Sequence, residues 1–423
     1  MSDASPIYLA AKPSLTQLAA VSAKIGLLGF GGPAGQIALM HKIFVEDKKW
    51  VDEDRYLYAL SYCTLLPGPE AQQLATYIGW LLQGVRGGLI AGSLFVLPGA
   101  TIMLGLSWLY MVSADMPLIA SALYGLRCVV LALIIQSVIK IGAKSLKATW
   151  TKWVAGLSFL ALILAKLPFP LVIVAAGLVG LIVQMSGRQE KIALCPKSAH
   201  ASGTKSFYAA FVWVGAWLAP VVALSLWPSA PKLLGEIGQL FSGLSLVTFG
   251  GAYAATSWLN QQAVEVQNWL TATQMIDGLA LVQTIPGPLV LVNQYVGFVA
   301  GWNAGGLGMA VAAGLLASWC TFAPSFVWIF AGAPFAEKLR HNQRVTSALK
   351  GVSAAVVGVI ASLSVAFASH IIFGGAGVGL DRVDVIAIGL SGTAFALLTR
   401  AKIGLFALFL LGAVAGIVAK AFG

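Results

Sequence analysis

Leu65-Leu66-Pro67-Gly68-Pro69-Glu70-Ala71-Gln72-Gln73 and Thr284-Ile285-Pro286-Gly287-Pro288-Leu289 are two settings of one feature, a Pro-Gly-Pro turn inside an apolar run. A helix cannot continue through either, because proline supplies no amide hydrogen and its ring clashes with the preceding turn. The two turns are copies. Phe30-Gly31-Gly32 recurs as Phe249-Gly250-Gly251 and Trp50 as Trp269, and 249−30, 269−50 and 286−67 all equal 219. Later, Pro98 matches Pro324, and the ALYG ending at Gly125 matches the ALKG ending at Gly351, both at an offset of 226. Rare residues agreeing in register point to a duplicated unit with seven extra residues late in the second copy.

The surrounding composition says where these units live. Of 423 residues, 59% are hydrophobic and 10% charged, with a mean hydropathy of +0.87. Soluble chains carry about 25% charged residues, so an ordinary soluble enzyme is excluded. The apolar runs have the length of membrane-crossing helices rather than of barrel strands. The polar opening MSDASP shows no cleaved signal peptide. Lys and Arg, which give a net charge of +11, lie between the apolar runs and serve orientation; no solvated basic face for nucleic acid is formed. Cys63, Cys128, Cys195 and Cys320 are widely spaced, His41, His200, His341 and His370 form no ligand cluster, and no phosphate-binding loop is present. No metal, redox cofactor or ATPase is expected, which disfavours a membrane-embedded reductase.

These readings predict an all-α polytopic membrane protein of about 13 segments. Residues 1–14 form a cytoplasmic tail, 15–185 a first repeat, 186–235 a basic loop with a linking helix, and 236–423 a second repeat. Each repeat opens with two broken segments (about 15–40 and 57–84; 236–258 and 271–300), as kinked spans or re-entrant hairpins, followed by four helices. An odd linking helix inverts the second copy. The acidic loop Ser113-Ala114-Asp115-Met116-Pro117 belongs outside, whereas its counterpart with Lys338, Arg340 and Arg344 belongs inside, as do Lys144, Lys147 and Lys152. The mixed stretch at 41–55 does not decide its own side. Inverted repeats are a mark of secondary transporters that bind near the bilayer midplane.

Breaks at membrane depth are tolerated where they line a cavity. Pro67, Gly68 and Pro69, with Pro286, Gly287 and Pro288, would start half-helices whose free amides hold an anion without a lysine. Gly31, Gly32, Gly250 and Gly251 fit either this site or close helix packing. Gln72, Gln73, Asn293 and Gln294 are candidate donors or interhelical bridges. Lys24 and Arg127 could attract an anion or neutralise an acid. Glu70, replaced by Leu289 in the second copy, and Asp277 are candidates for proton coupling. The pairs Gly88/Gly92, Gly301/Gly305 and Gly412/Gly416 could serve internal packing or a homodimer.

GFGGP, then KWVDE, LLPGPEAQQ and a later LPG resemble the chromate ion transporter family, with two such domains in one chain. The resemblance covers about 20–140 and 240–365 most clearly. It implies a bacterial inner-membrane protein that exports chromate, with sulfate as a structural analogue. Gly251-Ala252 where the first copy has Gly32-Pro33, and Gln36 where the family pattern leads one to expect His, depart from it and question the equivalence of the half-sites. The expected function is thus secondary chromate efflux through a midplane oxyanion site; sulfate import or exchange and a passive channel are the alternatives.

Overall fold

The computed structural model describes residues 13–186, 203–249, 252–332, 343–374, 383–401 and 403–422, and all regular structure among them is helical. The first repeat begins with α1 (Leu15–Leu28), α2 (Gly32–His41), a π-turn (Lys42–Asp47), α3 (Glu53–Cys63) and α4 (Glu70–Ser113). The second begins with α9 (Lys232–Val247), α10 (Ala252–Asn260), a π-turn (Gln261–Val266), α11 (Ala272–Thr284), a 3₁₀ turn (Leu289–Leu291) and α12 (Val292–Gly332). Each sequence break explains a boundary. Ser14 and Thr271 start α1 and α11 with reciprocal capping boxes, and Asp52 caps α3. The first repeat continues with α5 (Pro117–Ser145), α6 (Thr149–Ile163) and α7 (Phe169–Ser186); α8 (Gly203–Leu226) links the halves, and α13 (Gln343–Phe373), α14 (Val385–Ala396) and α15 (Leu405–Phe422) complete the second.

The broken segments are re-entrant. Tyr62 and Tyr77 lie on opposite sides of Pro67-Gly68-Pro69 in sequence, yet their rings are 5.7 Å apart. A continuous path of helical rise would separate them by roughly 20 Å, so the chain doubles back at the turn. Gly278 facing Tyr295 shows the same reversal about Pro286-Gly287-Pro288. The start of α1 meets the end of the first hairpin through the Gln83 amide and the Pro13 carbonyl. The Tyr56 hydroxyl donates to the Ile37 carbonyl at 2.5 Å and His41 meets Glu53 at 2.6 Å, returning α2 to the end from which α3 departs.

A further reversal divides α4. Gln83 (φ −135°, ψ 22°) and Gly84 (φ 63°, ψ −154°) leave the helix, after which Gly79 and Gly87 face each other so closely that either Cβ would strike the other's carbonyl. Gly305 and Gly306 repeat the turn in α12. Gly84 and Gly306 occupy a backbone region that only glycine enters readily.

The long second arms of α4 and α12 cross antiparallel. Gly92 faces Phe326, Gly88 faces Phe330 and Leu104 faces Gly314; 92+326, 88+330 and 104+314 all equal 418, the signature of one antiparallel register. Equivalent helices therefore run in opposite directions, and the repeats are inverted. Reciprocity extends outward: α5 packs on α14 and α15, while α13 packs on α6 and α7. Small residues permit these contacts, as where Gly125 lies against Gly412 and Gly416, and Gly180 against Ser347. Gly88, Gly92, Gly301, Gly412 and Gly416 all make such internal contacts. Among the described residues, five helices are long and apolar enough to cross a membrane by themselves. Four re-entrant hairpins place their tips in the middle of the bundle.

Candidate functional site

The hairpin tips meet through one bond made twice. The Gly68 amide donates to the Thr248 carbonyl at 2.8 Å, and the Gly287 amide to the Gly29 carbonyl at 3.1 Å; 248−29 and 287−68 both equal 219. Gly68 and Gly287 adopt φ of +112° and +111°, where a side chain is strained. Gly99 packs directly on Pro286 and Gly287. Between the tips is a cavity of about 20 Å³, bounded by the beginnings of α2 (Pro33, Gln36), α4 (Gly68 to Ala71), α10 (Ala252) and the 3₁₀ turn (Pro288 to Val290).

Four helix starts thus converge on one point. Gly31, Pro69 and Pro288 supply no side-chain cap, so the first amides of three of these helices have no intrahelical partner. Their partial positive charges face the same small volume. Gln36 completes the wall. Fully buried, it donates through Nε2 to the Gly29 carbonyl at 3.1 Å and the Gly287 carbonyl at 2.5 Å, while its Oε1 has no partner. Among the described residues Glu70 is the one charged residue lining the cavity.

The other candidates fall into three groups. Gln72 donates to the Phe322 carbonyl at 3.3 Å and Gln294 to the Ala100 carbonyl at 3.0 Å; 294−72 and 322−100 both equal 222, as does 306−84 for the glycine turns, so these are equivalent bonds from hairpin to facing helix. Pro98 and Pro324, matched in sequence at 226, lie four residues out of this register. The change of offset from 219 to 222 is the 3₁₀ turn Leu289–Leu291, which inserts three residues after the second Pro-Gly-Pro. Gln73 donates to the Pro67 carbonyl at 2.7 Å and Asn293 to the Thr321 hydroxyl at 3.0 Å. All four amides brace the tips from behind the cavity wall. Arg127 and Asp277 pair with each other, at 2.6 and 2.9 Å, and the Tyr110 hydroxyl donates to Asp277 at 2.9 Å. This buried cluster ties α5 of the first repeat to α11 of the second. Lys24 points outward from α1, exposed and away from the cavity. Gly250 and Gly251 lie outside the described residues, as do Lys338 and Arg340.

Two larger cavities lie on either side. One of 730 Å³ reaches Gly31, Pro33, Gly287 and Leu289 at its deep end and Lys140 and Thr399 towards the end of the molecule that carries Lys144, Lys147 and Lys152. It shares Pro33 and Leu289 with the central cavity. The other, of 460 Å³, lies at the opposite end among α6, α7, α10 and α13, the two-fold counterparts of α14, α15, α2 and α5. It shares no lining residue with the centre. A pseudosymmetric frame therefore holds an asymmetric pair of vestibules, one sharing wall residues with the central cavity and one sharing none among the described residues. Gln36 and the vestibule residues Tyr253, Gln283 and Lys140 were not among the sequence candidates; Gln36 was noted only as a departure from the family pattern, where His is expected.

Among the described residues no group of His, Cys, Asp and Glu is arranged to hold a metal. The family model for chromate transporters matches residues 16–181 and again 235–417, one match for each repeat. The chromate transport protein of Pseudomonas aeruginosa is 31% identical over 411 residues, covering 95% of this chain and 92% of that one. The chromate transport protein of Cupriavidus metallidurans is 28% identical over 374 residues, covering 87% and 86%. An uncharacterized transporter of Bacillus subtilis, YwrA, is 31% identical over 157 residues, 88% of its own length but 36% of this chain, so a chain about the size of one repeat exists separately. No solved structure matches. With its fold, its duplicated motif and both repeats accounted for, the chain belongs to the chromate transporter family, as a multi-pass membrane protein.

Proposed function

We propose that the protein is a secondary active transporter that exports chromate by alternating access, binding it where the hairpin tips meet. One observation carries this reading: four helix starts from both repeats converge on a small cavity that shares its wall with one vestibule. Converging amides suit a tetrahedral dianion, because fixed dipoles attract the charge without the grip of several fixed cations. The cavity of about 20 Å³ has room for about one water. Chromate binding therefore requires the tips to separate, and the glycine turns at Gly68 and Gly287 supply the hinges. Glu70 is the coupling group in this scheme, since its protonation removes the one negative charge beside the anion.

The end bearing Lys144, Lys147 and Lys152 is assigned to the cytoplasm of a bacterial inner membrane, with the N-terminus on the same side. On that assignment the vestibule sharing the central wall faces inward and loads substrate for export. Inside-out vesicles should accumulate chromate, with the rate responding to an imposed pH gradient. Absence of chromate flux in either vesicle orientation would sink the proposal. A second reading, exchange or import of sulfate, is favoured by one observation: backbone amides and a single glutamine present nothing that separates one tetrahedral dianion from another. Competition by sulfate, with flux measured in both directions, distinguishes the two.

A further inference from the structure

We infer that the vestibule at the basic end holds a second anion site, around Lys140 of α5 and Gln283 of α11, which captures the dianion before it enters the central cavity. The inference rests on the transport reading above and adds a loading step to it. Among the described residues Lys140 is the one charged residue lining the 730 Å³ vestibule. Its ammonium donates to the neutral Gln136 Oε1 at 3.0 Å, and it makes no ion pair among the described residues. Deeper in the same vestibule, the Gln283 Nε2 is buried with no partner, while its Oε1 sits 3.5 Å from the Tyr253 hydroxyl. An unused buried donor is costly unless something binds it. Ser137 lies on the same wall, one helical turn before Ile141 and three residues from Lys140, and the start of α2 closes the deep end.

The opposite vestibule lacks this character. The position equivalent to Lys140 is Ala366, since 366−140 equals 226, and Ala366 lines that vestibule together with both Lys166 and Glu265. The cation is therefore present on one face and absent from the matching place on the other, where an acid also enters the wall. A dianion presented at the basic face meets an uncompensated positive charge, and at the other face it meets a balanced pair. Capture is expected to be stronger from the basic face, which biases loading in the outward direction.

In reconstituted vesicles, Lys140→Gln should raise the KM for chromate at the basic face about tenfold, the effect of removing one charge from a partly solvated dianion site. KM at the opposite face should be unchanged, and Lys140→Arg should retain the native value. An equilibrium measurement separates this site from the transport cycle. Cys63, Cys128 and Cys320 are buried, so S137C in a Cys195→Ser background reports on the vestibule. Chromate should slow its modification by a charged thiol reagent, and adding Lys140→Gln should abolish the protection. An unchanged KM at the basic face, an equal rise at both faces, or no protection with Lys140 present would overturn the second site. Protection at S137C together with no chromate flux in the native protein would overturn the transport reading and leave the site standing.

Discussion

Gly68 and Gly287 show how far a single residue can be read. Their positions inside Pro-Gly-Pro were legible in sequence, and their φ values near +110° explain why no other residue serves there. Gly68→Ala places a Cβ 3.0 Å from the Gln73 amide in a conformation costing about 1–2 kcal/mol. Its expected outcome is a membrane-inserted protein with little chromate flux, checked by expression and vesicle uptake in parallel. Glu70→Gln should leave flux measurable but remove its response to a pH gradient; a retained response would exclude Glu70 as the coupling group. Gln36 marks the limit of residue-level reading. One polar residue in an apolar helix is visible in sequence, but its bond to Gly287 joins residues 251 positions apart and exists only after the repeats interlock.

The elements were legible as breaks but not as directions. A helix, a break and another helix give the same hydropathy whether the second piece continues or returns, and the mixed charges of 41–55 did not choose. Tyr62 against Tyr77 does choose, and the consequence is testable: K48C, on the exposed π-turn side of α3, should label from the same face as K147C. Labelling from opposite faces would refute the re-entrant path. The Arg127–Asp277 pair belongs to this scale too, because it fastens α5 to α11 across the repeats. Each residue was visible as an intramembrane charge, while their partnership was not. Asp277→Asn should destabilise the detergent-solubilised protein by about 3–5 kcal/mol by leaving a buried charge unpaired, whereas replacing both by apolar residues of similar volume should recover most of that loss. Thermal unfolding of the single and double variants makes the comparison.

At the scale of the molecule, the two vestibules occupy equivalent places in the two repeats, and one of them shares its wall with the central cavity. T399C should be reachable from the basic face and S369C from the opposite face. Chromate with a pH gradient should alter both reactivities together if the tips open alternately; independent changes would favour a channel. The duplicated motif and the inverted order were determined by sequence, because periodic hydropathy, rare Pro and Trp in register and loop charge are local properties that survive without coordinates. The doubling back of the hairpins, the meeting of four helix starts, the pairing of Arg127 with Asp277 and the difference between the two vestibules were decided only by tertiary structure. Those features are contacts between residues far apart in the chain, and no local preference encodes which of two equivalent faces a broken helix returns to.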